Sequence, residues 1–173
     1  MSRRQHESEK ARAKRLAAER KQDAEDLACR VEFGKLFDFR MAGTEDVGGR
    51  PAWIIDAEPL RNSVPRCSDN KDARKFRIRF WVDQAANRWA KVEGEALEPV
   101  SRGLVLARAA KGMRLSVEQI RLDEATWMPA KAYARADLRL GLVKAMHIEE
   151  VTTFRNYRKF QTDSRIVGMG EAR

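Results

Sequence analysis

Several groups of residues in this chain have the types and spacings that chemistry uses. His147 stands two residues before Glu149 and three before Glu150. On a strand, residues two apart share a face, so an imidazole and a carboxylate here could begin a metal site. Such sites need three or more protein ligands, and the only other histidine, His6, lies in the charged start of the chain. A surface histidine is the plainer reading. Glu93 and Glu95 also share a strand face, roughly 7 Å apart by strand rise. Carboxylates at that range can serve glycoside hydrolysis. Lys91 lies on the same side, and a solvated ladder of alternating charge accounts for all three. Gly48-Gly49-Arg50 lacks the GxxxxGK[ST] spacing of a phosphate loop and no helix follows it. Two glycines that open a tight hairpin explain it.

Residues 154–161, FRNYRKFQ, interleave aromatic rings with Arg155, Arg158 and Lys159. With Arg77 and Arg79 they could stack on bases and pair with phosphates. The competing reading is a sheet edge protected by cations against aggregation. No serine or cysteine has a histidine partner in a nucleophile motif. The residues therefore predict a non-enzymatic protein with no cofactor and no metal.

These groups must be held by elements, and the elements are legible in the period of the apolar residues. Residues 7–33 contain no Gly or Pro and are rich in Ala, Glu, Lys and Arg, which predicts a helix ending at Gly34. Its apolar positions, Leu16, Ala17, Ala24, Leu27, Ala28 and Val31, recur at three- and four-residue steps and form one stripe. From residue 36 the period becomes two. Residues 36–41 and 50–59 make a hairpin around Gly48-Gly49, and residues 60–74 read as a mobile polar loop. Residues 76–95, FRIRFWVDQAANRWAKVEGE, make a second hairpin. In its first strand Phe76, Ile78, Phe80 and Val82 point one way and Arg77, Arg79 and Trp81 the other. Further strands fall at 103–109, 115–122, in the stretch around 138–142, and at 147–160.

The plan is α+β. One long N-terminal amphipathic helix or linker (1–34) precedes a domain (35–173) of about seven to nine antiparallel strands with short connections. A sheet with one apolar face must bury it, so the helix is expected to lie across that face. Its stripe is mostly alanine and would leave part of the face unfilled. The side chains placed on that face are Phe37, Phe39, Trp53, Ile55, Phe76, Ile78, Phe80, Val82 and Trp89, and they are the candidate ligand-binding residues.

Composition sets outer bounds. Apolar residues make up 43 % of the 173 residues, enough for a core, and charged residues 35 %. The net charge of +9 is spread along the chain, which reads first as solubility. No apolar run is long enough to span a membrane. No apolar segment follows the basic start, so export would need a signal upstream. Cys29 and Cys67 read as two unpaired thiols, with a single bridge open to them in an oxidising compartment.

Four stretches, GGRPAWIIDAEP at 48–59, FWVDQAANRWAKVEGE at 80–95, ATWMPAKAYARAD at 125–137 and FRNYRKF at 154–160, together resemble the outer-membrane lipoprotein-sorting superfamily, the LolA/LolB-like proteins. The resemblance covers roughly residues 36–162. It implies an open half-barrel with helices against its concave side. It also implies a cell-envelope or periplasmic protein that binds a lipid, a lipoprotein acyl chain or an apolar part of another envelope protein. The chain departs from that pattern in lacking a lipobox cysteine and a second helical hairpin. Both departures fit a C-terminal part of a larger exported protein. A chain that is not exported would be cytoplasmic, and the competing function is a basic nucleic-acid-binding module.

Overall fold

The computed structural model describes residues 8–102, 107–140 and 144–158. Helix α1, Glu9–Leu36, begins at Ser8, whose hydroxyl accepts from the Ala11 amide. Pairs one turn apart line its surface, Arg15 with Glu19 at 2.8 Å and Gln22 with Asp26 at 2.8 Å. The helix does not stop at Gly34. That glycine keeps a negative φ, so no left-handed cap forms. Leu36 is buried, and the helix ends only where Phe37 turns extended and enters the sheet.

Strand β1, Phe37–Asp46, follows α1 with no connector. The remaining elements are β2 (Pro51–Pro59), α2 (Ser68–Ala73), β3 (Phe76–Asp83), β4 (Arg88–Ala96), β5 (Val100–Arg102), β6 (Ala107–Ala109), β7 (Arg114–Arg121), β8 (Trp127–Leu140) and β9 (Lys144–Thr153). All pairings are antiparallel, and the order β1-β2-β3-β4-β7-β8-β6-β5, with β9 also on β8, does not close. The long strand β8 makes this possible. It pairs with β7 along residues 127–135, with β6 along 138–140, and with β9 on its other side. The turn between β1 and β2 holds Gly48 and Gly49 at φ +62° and +80°, and Asp46 accepts from the Gly49 amide.

The expected helix across the sheet is not there. With Leu36 and Phe37 adjacent, no linker exists to fold α1 back. Only its last turns reach the apolar face, where Phe33 and Leu36 meet Phe37, Ala57, Ile78 and Phe80. The Phe33 ring lies 4.7 Å from Phe37 and edge-on to Phe80 at 6.5 Å. Leu16, Leu27 and Val31 of the stripe stay exposed, Leu27 by 61 %. A second cluster joins Ala96, Val100 and Ala109 to Phe76, Met113, Ala136 and Leu138.

Three further expectations are corrected. The loop at 60–74 carries α2 and is pinned. The Glu32 carboxylate accepts from the Arg66 and Cys67 amides and from Asn70 Nδ2, at 2.7 to 3.1 Å, while Asn70 also donates to the Cys29 carbonyl. Cys29 and Cys67 form a disulfide in place of two free thiols. The strand expected at 147–160 ends earlier, at Thr153. Asn156 takes φ +61°, which breaks the extended run, and the Tyr157 hydroxyl donates to the Pro129 carbonyl. Lys159 and Phe160, residues 103–106 and Leu142 lie outside the described residues.

Candidate functional site

Pairing registers sort the side chains into two faces. Across the apolar face run the rows Phe39–Ala57–Ile78–Gly94–Leu115–Ala134 and Met41–Ile55–Phe80–Val92–Val117–Ala132. A third row sets Trp53 beside Val82 and Val82 beside Trp89. The pairing of β3 with β4 shifts between Trp81 and Val82. The skipped residue, Ala90, is a bulge that turns Trp89 onto the apolar side.

Of the candidate residues, Phe37 and Ile78 are buried in the core, and Phe76 is partly buried between the two clusters. Trp53, Ile55, Phe80 and Val82 are half-buried. Phe39 at 42 % and Trp89 at 38 % remain exposed. Met41 and Leu115, 63 % and 40 % exposed, extend the same surface and were not among the candidates. Met41 is visible in the alternation of β1, but only the register of five strands puts Leu115 in Phe39's row. The result is a band of apolar side chains, covered at one corner by α1 and otherwise open.

The opposite face is a charge ladder. One row reads Arg40–Asp56–Arg79–Glu93–Ser116–Tyr133. Arg79 holds Asp56 with two bonds of 2.5 and 2.9 Å, which keeps that carboxyl below its ordinary pKa. Arg77 meets Glu58 at 2.5 Å, and Lys91 meets Glu93 at 2.7 Å. Glu95 reaches Arg114 at 3.8 Å. Trp81 lies on this face yet is buried, donating to Glu45 at 2.7 Å with the Lys91 ammonium 4.2 Å from its ring. A cavity of about 410 Å³ runs over Asp56, Arg79, Glu93 and Tyr133. Its carboxylates are engaged with cations, so neither Glu93 nor Glu95 stands as a free acid–base pair.

Beside it, His147 Nδ1 lies 2.7 Å from Asp137, and Glu149 accepts from the Tyr133 hydroxyl at 3.1 Å. Burial and that glutamate raise the Tyr133 pKa. Glu150 falls on the other face and accepts from Thr152. Among the described residues no three His, Cys, Asp or Glu side chains converge as metal ligands.

Arg50 of the Gly-Gly-Arg turn has a structural task that its motif did not reveal. It grips Asp83, which is 1 % exposed, through Nε and, at 3.0 Å, through its terminal nitrogen. The same carboxylate accepts from the Ala85 and Ala86 amides and closes the β3–β4 turn. Arg50 first, and those amides with it, hold Asp83 well below the usual carboxylate range.

Trp127 carries the one buried side-chain polar atom without a partner among the described residues, its indole N–H. The indole lines a cavity of about 350 Å³ with Asn87, Arg88, Trp89 and Gln119. An orphaned donor costs about 1–3 kcal/mol. Trp127→Phe is therefore expected to leave stability unchanged or raise it by about 1 kcal/mol, measured by urea unfolding. A loss above that amount would mean that the N–H has a partner in solution.

No family model, no curated protein and no solved structure matches this chain.

Proposed function

We propose that this is a non-enzymatic, lipoprotein-sorting-like binding domain of the cell envelope, and that it takes a long acyl chain on the apolar face of a sheet curved into a half-barrel. The observation that carries the reading is the open apolar band. Phe39, Met41, Trp89 and Leu115 remain exposed after every strand has paired. Half-buried Ile55, Phe80, Val92 and Val117 lie between them in the Met41 row, and exposed apolar surface of this kind marks a binding site. Burying about ten methylenes contributes roughly 8 kcal/mol before association costs. A site built this way needs no polar motif, in keeping with a sequence that carries none. The Cys29–Cys67 bridge supports an oxidising compartment. Against the nucleic-acid reading stands the ladder of the central polar face, where Arg40, Arg77, Arg79 and Lys91 are engaged by carboxylates rather than free for phosphates.

Thermal scans with palmitate or a diacylated lipopeptide test this. A ligand at a hundred times its Kd adds about 2.7 kcal/mol, or roughly 5–10 °C for a chain of this size. Met41→Glu with Leu115→Glu, both exposed and so tolerated by the fold, abolishes the shift. Unchanged midpoints in the wild type, with no enhancement of a hydrophobic dye, would sink the proposal. A shift with an apolar peptide but not with palmitate would move the ligand to a protein segment.

A further inference from the structure

The polar face breaks its alternation in one region. Arg114 on β7 stands directly opposite Arg135 on β8, and Arg108 on β6 directly opposite Arg139 on β8. Like charges facing each other directly across strands repel and destabilise the pairing. Here two such pairs follow one another along β8. Lys111, in the turn between β6 and β7, lines the cavities on either side of Asp137, of about 650 and 290 Å³.

The carboxylates nearby offset the group only in part. Glu149 stands opposite Arg135 and accepts from Tyr133, Asp137 lies 2.7 Å from His147 Nδ1, and Glu95 reaches Arg114 at 3.8 Å, so five cations meet three carboxylates. Among the described residues Arg108, Lys111, Arg135 and Arg139 form no ion pair. The connecting stretches 103–106 and 141–143 read Gly-Leu-Val-Leu and Gly-Leu-Val and bring no acid.

We infer that this cluster of Arg108, Lys111, Arg114, Arg135 and Arg139 binds the phosphate of an anionic phospholipid headgroup at a membrane surface. Guanidinium pairs take phosphate oxygens in bidentate fashion, and a bound phosphate converts the repulsion between facing arginines into shared attraction. The larger cavity sets Pro99 and Ala145 beside Arg108 and Arg139. The glycerol carbons next to a headgroup phosphate fit against them. A nucleic-acid strand needs stacking rings, and the cluster's one aromatic neighbour, Tyr133, is tied to Glu149.

This site lies on the face opposite the apolar band and does not rest on the acyl-chain reading. The test is sedimentation of the full chain with vesicles of phosphatidylglycerol and phosphatidylcholine, against phosphatidylcholine alone, across a salt series. Binding is expected only to the anionic vesicles and to weaken with salt. Arg108→Gln with Arg139→Gln lowers the affinity about thirtyfold, as does Arg114→Gln with Arg135→Gln, at about tenfold or less per cation removed near an anionic surface. Both double variants keep the wild-type melting midpoint or exceed it, because each relieves a repulsion, and both keep the palmitate shift. Equal binding to neutral vesicles, or full binding by the variants, overturns the inference. So does binding of random-sequence DNA, or saturable stabilisation by micromolar inorganic phosphate, without vesicle binding.

Discussion

Cys29→Ser combined with Cys67→Ser lowers the melting midpoint by about 10 °C. The bridge closes a loop across 38 residues, and the chain-entropy estimate for such a loop is about 4 kcal/mol, with each kcal/mol worth about 2–4 °C in a chain of this size. The loop holds both strands of the first hairpin and ties the end of α1 to α2. Without it, the hydrogen bonds of Glu32 and of the Cys29 carbonyl to the 66–70 segment must hold that corner. Reducing agent is expected to reproduce the drop in the wild type and to leave the double variant unmoved. Equal midpoints in oxidised and reduced wild type would mean that the bridge contributes nothing to stability.

Asp83→Ala is expected to cost about 3 kcal/mol, the scale for breaking a buried ion pair from one side. The carboxylate anchors Arg50 and two turn amides at once, so its removal loosens both the β1–β2 and the β3–β4 turns. Asp83→Asn keeps an acceptor for the amides and loses less. The pH dependence is distinctive. Folding depresses this carboxyl's pKa, so its stabilisation is complete above about pH 4, the unfolded value. It disappears as acid titrates the folded group below that. In urea titrations the wild type therefore falls more steeply than Asp83→Asn from about pH 4 downwards. Parallel acid limbs, or a loss under 1 kcal/mol for Asp83→Ala at neutral pH, would contradict the anchoring role.

Strand positions were legible wherever period two ran without interruption. FRIRFWVD alternates cleanly, and β3 spans those residues. The hairpin signals at Gly48-Gly49 and around Asn87, which takes φ +51°, were equally readable because turn residues act locally. What escaped was long-range. The spacing of Cys29 and Cys67 gives no sign that α2 brings them together. The Arg50–Asp83 grip joins residues 33 apart, and neither neighbourhood contains the other. The fate of the helix stripe is not legible in the sequence, because amphipathicity shows that a face is apolar, not what covers it. That answer lay at Leu36–Phe37, where the absence of a connector decides the geometry. The apolar band was half legible. Its β1, β2 and β3 members follow from alternation, whereas Leu115 needed the register of β7. The facing arginines on β6, β7 and β8 were invisible for the same reason, since alternation within one strand says nothing about the strand beside it.

The direct passage from α1 into β1 sets a distance. At about 1.5 Å per residue, the 28 residues of α1 make a rod about 42 Å long, rooted in the outermost strand of the sheet. The Glu9 end of that rod is thereby kept at arm's length from the sheet. A tug on that rod loads the hydrogen bonds between β1 and β2 first, and the staple at Cys29 sits where the lever meets its fulcrum.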